Sequence, residues 1–303
     1  MNTASSNAAS NTAPNAPQIA GVPANGLIAL LILYVLWGST YLGIKFALIS
    51  FPPFLLGGTR LPVAGLVMFA VLRLRHTANP RPRQWLHCAI YGVLLLGVGN
   101  GVLAFAEQYI SSSLAAALLA AQPVTIALVF GLFGKWPHKM EWLGISVGIV
   151  GVVLLNLDGE LLANPLGVAA LLVSMLGWSF GTVLAREKLD LPGGAMTTSI
   201  ELLAGGLFQL IVSFILQEQM KPLQPQAIAG WVYLAVVSMI GFTSYTIVIR
   251  TLRPTLASSF SYVNPAVALL LGVLIGGESV SPIVGVGVIV IGVLFITLAQ
   301  RRK

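Results

Sequence analysis

The chain has 303 residues, of which 57% are hydrophobic and 8% charged, with a net charge of +7. A soluble domain carries about 25% charged residues, so this composition excludes a water-facing globular surface. The basic residues lie in short loops between apolar segments, a topology signal rather than a nucleic-acid patch. Cys88 is the single cysteine, which excludes an intrachain disulfide, and His76, His87 and His138 lack metal-ligand spacing.

Residues 1–25 are uncharged and rich in Ala, Asn, Ser and Pro, and read as a disordered tail. A signal peptide would open on basic residues, whereas Lys45 is the first charge in the chain. Ten apolar segments follow, at 26–46, 54–72, 86–106, 112–134, 141–157, 166–185, 195–217, 228–249, 256–276 and 282–299. Each is near the length of about 20 residues that crosses a bilayer. Thirteen of the sixteen Lys and Arg residues follow even-numbered spans, from Arg73 and Arg75 to Arg301, Arg302 and Lys303. That bias places both termini in the cytoplasm. Trp85, Trp142 and Trp231 fall near span ends and read as interface anchors.

The sequence contains itself twice. "WGSTYLGIK" from Trp37 matches "WSFGTVLAR" from Trp178 at an offset of 141, and "LAAALLAAQP" ending at Pro123 matches "LASSFSYVNP" ending at Pro265 at 142. "GISVGIVGVVLL" from Gly144 matches "GVGVIVIGVLFI" from Gly285, again at 141. Two five-helix units result, 26–157 and 165–299, followed by a basic tail at 300–303. An odd number of crossings makes the second unit enter the membrane from the opposite side. The predicted fold is therefore an all-α integral membrane protein of ten helices in two inverted repeats. Secondary transporters with this architecture place their site near the midplane, at the repeat interface.

Helical rise puts Trp37 and Trp178 about 16 and 18 Å from opposite faces, and Gln122 and Asn264 about 12 Å. In a hydrocarbon core about 30 Å thick, all four meet near the middle. Pro123 and Pro265 cannot bond to the carbonyls of Leu119 and Ser261, so these helix kinks must face protein or a wet cavity. Trp37 and Trp178 could stack on a ligand ring or cation, and Gln122 and Asn264 could hydrogen-bond it. Ordinary packing and interhelical hydrogen bonds are the competing readings. Ser39, Thr40, Tyr41, Asn100, Ser179, Tyr245 and Tyr262 are secondary candidates, since Ser and Thr often bond back to their own helix.

Arg60 and Glu201 occupy equivalent positions in the repeats and carry intramembrane charge, which costs about 3 kcal/mol or more at the centre. Inversion leaves about 12 Å of depth between them, so they are predicted to be separate anchors, one toward each gate. Glu201 is also the candidate carrier of a coupled proton. Lys45, at an outer helix end, either snorkels or attracts a substrate carboxylate.

Two five-helix halves, a Trp-bearing first helix in each, "AAQP" and "SYVNP" in helices 4 and 9, and "GGESVSPIVGVGVIVIGVL" into helix 10 resemble the EamA-type drug/metabolite transporter superfamily. Within it the chain is most similar to the bacterial YddG-type exporters of aromatic and other amino acids. The resemblance covers residues 26–299 and implies a central cavity lined mainly by helices 1, 3, 4, 6, 8 and 9, with helices 5 and 10 peripheral. One departure is Trp136, which stands where the family often has an acid closing helix 4, as Glu278 closes helix 9.

The expected function is export of amino acids or related small metabolites across the bacterial inner membrane by alternating access. The expected partners are a small-molecule substrate and the lipid bilayer, with no cofactor, metal or nucleic acid, and a monomer or homodimer. A broad drug or nucleobase exporter is the alternative. An intramembrane enzyme would need an acid–base or nucleophile constellation at one depth, which the sequence lacks.

Overall fold

The structure, a computed structural model, describes residues 18–19, 22–110, 115, 118–119, 121–137, 139, 142–143, 146, 164–261, 263–264, 267 and 271. Among the described residues the bounded helices are α1 (Ala24–Ala47), α2 (Pro53–Leu74), α3 (Pro82–Ala106), α4 (Gln122–Leu132), α5 (Pro165–Glu187), α6 (Gly194–Ile215), α7 (Pro225–Thr251) and α8 (Pro254–Ala257). Among the described residues, α1, α2, α3, α5, α6 and α7 are long and apolar enough to cross a membrane. The expected spans at 141–157 and 282–299 lie outside the described residues, apart from 142, 143 and 146, as do Pro265, Tyr262 and Glu278. Within the expected tail, Gln18–Ile19 pairs antiparallel with Val22–Pro23, and α1 already begins at Ala24.

Local chemistry sets the ends. Proline stands in the first turn of α2, α3, α5 and α7, where its missing N–H costs nothing and its φ is already helical. The Glu218 carboxylate, past the end of α6, accepts from the Phe54 and Leu55 amides at 3.2 and 2.8 Å. A negative group thus meets the positive end of α2. Outward-facing Leu31, Val35, Leu66, Ile211 and Phe214 are exposed, as suits lipid contact. Residues Val93–Asn100 of α3 form a π-helical turn between Gly92 and Gly101.

The long helices pack in antiparallel pairs. Along α2 and α6, Gly58 lies against Leu210, Pro62 against Gly206 and Gly65 against Leu203. Along α1 and α7, Gly26 meets Thr251, Trp37 meets Gly241 and Ala47 meets Gly230. Along α3 and α5, Gly99 meets Trp178, Val98 meets Gly177 and Leu95 meets Gly181. Small residues at the crossings let backbones approach closely, which is what drives association where lipid removes the hydrophobic force.

Apart from Lys45, Arg60 and Lys221, the described basic residues gather at one end of the bundle. There the Arg186 guanidinium donates to the Ile249 and Leu252 carbonyls at 2.8 and 2.6 Å, and Arg250 donates to the Leu191 carbonyl at 3.1 Å. Lys135 pairs with Glu187. A continuous buried cluster fills this end, running from Leu33 and Trp37 through Tyr91, Leu191 and Ile249 to Leu256 and Phe260.

Candidate functional site

A cavity of about 750 Å³, its mouth included, opens where that cluster stops. It extends along α1 from Trp37 to Ile44 and along α7 from Phe242 back to Leu234. Both directions lead away from the basic end. Trp37 and Trp178 stand at its floor. Their rings meet edge to face at 5.2 Å, and Trp37 also touches Phe242, Tyr245 and Phe260 at centroid distances of 5.5, 5.1 and 4.8 Å. Trp37 is only 8% exposed, so the aromatic group seals the floor rather than standing open. Each Trp rests on a glycine: a Cβ at Gly241 would meet the Trp37 indole nitrogen at 2.7 Å, and one at Gly99 would meet the Trp178 ring at 3.1 Å.

Polar groups are few and separated along the wall. Gln122 opens α4, and its Nε2 lies 3.0 Å from the Met175 carbonyl, 2.7 Å from Ser179 Oγ and 3.0 Å from Thr125 Oγ1. The amide therefore ties α4 to α5 just where Pro123 interrupts helical bonding. Asn264 Oδ1 is buried on the wall without a hydrogen bond among the described residues. The Arg60 guanidinium is 4% exposed and borders the cavity, donating to the Leu234 carbonyl at 3.3 Å, Ser238 Oγ at 3.1 Å and Asn100 Oδ1 at 2.9 Å.

The wall thus contains Trp37, Thr40, Tyr41, Asn100, Gln122, Trp178 and Asn264 of the expected residues. Three others stand behind it. Tyr245 is sealed in the aromatic cluster, accepting from Trp178 Nε1 at 2.9 Å and bonded to Thr182. Ser179 is fully buried against Gln122, and Ser39 bonds the Leu36 carbonyl and Tyr233. Lys45 is exposed and is not among the residues that line the cavity, an exposure that suits the snorkelling reading. Arg60 was expected as a gate anchor and is a wall residue, contributed by a helix the family resemblance left out. The wall also includes Ser174, Ser238, Phe242 and Phe260. The spacing of Leu234, Val237, Ser238 and Phe242 on α7 is the helical signal that could have found this face.

Glu201 does not meet Arg60. The antiparallel register of α2 and α6 sets them about 10 Å apart along the helices. Glu201 is fully buried, its carboxylate makes no hydrogen bond among the described residues, and its backbone lies against Gly92 of α3.

Just past α3, both Glu107 carboxylate oxygens are buried without a hydrogen bond among the described residues, and burial pushes the group up to about 8 from its ordinary 4.5. The folded protein then holds a proton that the unfolded chain releases at lower pH. The contribution of Glu107 to stability is fully present below pH 4.5 and is lost as pH rises to about 8. Glu107→Gln is expected to flatten the pH dependence of the thermal midpoint across that window. An unchanged slope would show that Glu107 does not set it.

Six long apolar helices among the described residues define a multi-pass membrane protein, and α1, α2, α3, α4, α5 and α7 all contribute to the wall of its internal cavity, which has an aromatic floor and few polar groups. The chain belongs to the EamA-like transporter family, whose sequence profile matches residues 24–157 and again 165–298. It is 40% identical over 279 residues to the uncharacterized inner membrane transporter YedA of Escherichia coli, with 90% of each chain covered. It is 28% identical to protein PecM of Dickeya dadantii, over 88% of this chain and 91% of that one. A crystal structure with 22% identity superposes at a TM-score of 0.74, covering 91% of this chain and 98% of that chain, which shows a common fold.

Proposed function

We propose that this chain is a secondary carrier that exports aromatic and other neutral amino acids, or closely related metabolites, across the bacterial inner membrane by alternating access. The observation that carries the reading is the cavity, with an aromatic floor built on Trp37 and Trp178 and with Asn100, Gln122, Asn264 and Arg60 spaced along its wall. Inversion of the two halves is supported by α2 and α6, which lie 141 residues apart and run antiparallel. The seating of each half's Trp on a glycine of the other supports it too. With both termini cytoplasmic, the cavity faces outward and the aromatic floor closes the cytoplasmic path.

The test is uptake of labelled Phe, Met and Thr into proteoliposomes, with and without a pH gradient. Saturable uptake above empty liposomes is the expected result. Acceleration by the gradient, lost in Glu201→Gln, would place proton coupling at Glu201. Absence of uptake by folded protein would sink the amino-acid reading. The apolar breadth of the wall favours a second reading, a drug or nucleobase exporter, in which those compounds rather than amino acids would be taken up.

A further inference from the structure

Arg60 is the one charged residue among the described residues lining the cavity, and no described carboxylate lies within ion-pair distance of it. The described acids are engaged or placed elsewhere. Glu187 pairs with Lys135, Asp190 bonds Gln84 at the basic end, and Glu218 caps α2. Glu107 lies beyond α3, about 10 Å along the helix from Asn100, and Glu201 about 10 Å along from Arg60.

A buried guanidinium without a counter-charge is expensive, and its neutral hydrogen bonds to Leu234, Ser238 and Asn100 offset only part of that cost. Its Nε–H makes no hydrogen bond among the described residues. Arginine presents five donors in a planar fork that matches a carboxylate, and three acceptors leave the fork incomplete. A single cation among Trp, Tyr, Phe and Leu side chains suits one negative charge on an otherwise apolar molecule. The wall has no carboxylate among the described residues to pair an ammonium group.

We infer that Arg60 is the seat for the carboxylate of the transported molecule, and that the cavity selects apolar and aromatic monocarboxylates whether or not they carry an amine. This rests on the carrier reading above and narrows it: amino acids would be recognised as carboxylates, with the amine of secondary importance. Asn100, already bonded to Arg60, is its positioning partner.

The experiment compares binding of L-phenylalanine, 3-phenylpropionate and phenethylamine to the purified full chain in nanodiscs, by calorimetry. The three share a ring, and they separate the carboxylate from the amine. Both carboxylates are expected to bind, with phenethylamine at least tenfold weaker. Arg60→Gln is expected to weaken both carboxylates at least tenfold and leave phenethylamine unchanged, and Arg60→Lys to recover part of the loss. A merely structural role for Arg60 would lower the thermal midpoint of Arg60→Gln without changing the order of the three ligands, and would overturn the inference.

The two readings fail separately. If phenylalanine and phenethylamine bind alike and phenylpropionate does not, the carboxylate seat is wrong while an amino-acid carrier survives. If phenylpropionate binds and phenylalanine does not, the seat stands and the amino-acid reading falls. If none of the three binds to folded wild-type protein, the seat for aromatic carboxylates is refuted, and uptake of Met and Thr still decides the carrier reading. The wild-type comparison needs no variant, so a misfolded Arg60→Gln would not rescue the proposal.

Discussion

Trp37→Ala is expected to abolish saturable transport, reducing initial uptake more than tenfold, and to lower the thermal midpoint of the protein. Trp37 is the hub of the floor, with four aromatic neighbours at centroid distances between 4.8 and 5.5 Å. Such pairs contribute about 0.5–1.5 kcal/mol each beyond the area they bury, and truncating a buried Trp to Ala costs about 3–5 kcal/mol. Trp178→Ala removes a half-buried ring and its bond to Tyr245, and is expected to cost less stability. Trp37→Phe keeps a ring at the hub and is expected to restore most of the stability and part of the transport. Uptake assays beside fluorescence-detected size exclusion separate the two effects. Wild-type uptake by Trp37→Ala would mean that the floor lies outside the transport path.

The second large effect is expected at Gly92. A Cβ there would enter the contact shell of the Glu201 carbonyl oxygen and lie 2.8 Å from the Glu201 Cα. The obstacle is backbone in the middle of α6, which cannot turn aside as a side chain can. Overpacking costs about 1–3 kcal/mol where neighbours can adjust, and Gly92→Ala is expected at or above the top of that range. Gly205 faces the same crossing, against Leu96 and the Gly92 carbonyl, so the two substitutions share one displacement and should not add. Gly134→Ala is the control. It has φ of +75° but open space around it, so only local backbone strain is at stake. Thermal midpoints of the three variants check the ranking; equal midpoints for Gly92→Ala and wild type would mean that α3 and α6 can separate freely.

Hydropathy alone located the six long helices to within about four residues at each end, because a lipid-facing helix is apolar on all sides and stops at loops rich in Pro and charge. That Trp37, Trp178, Gln122 and Asn264 would meet was also legible, since helical rise converts sequence position into relative height, and all four line the one cavity. Direction around the helix axis was harder. Tyr245 and Ser179 lie at suitable heights, yet Tyr245 turns its hydroxyl to Trp178 and Thr182, and Ser179 bonds to Gln122. Gln122 shows the same limit: its position was readable, but not that its amide would be used on Met175 and Ser179. The π-helical turn at Val93–Asn100 has no periodic signature in the sequence, and its Gly97 and Gly99 lie against Phe208 and Trp178, which distant helices contribute. Arg60 was conspicuous as a charge, but only the packing of α2 beside α7 shows that it borders the chamber.

The antiparallel pairs described above nest one inside another: α3 with α5, α2 with α6, and α1 with α7. This order has a meaning in time. As the chain is synthesised, α1, α2 and α3 emerge before any of their principal partners exists. The innermost pair can close as soon as α5 is made, the middle pair follows with α6, and α1 waits until α7 is complete. The helix made first is therefore the last to be housed, and a chain cut short before α7 leaves the Trp37 face of α1 without the Gly241 surface that receives it.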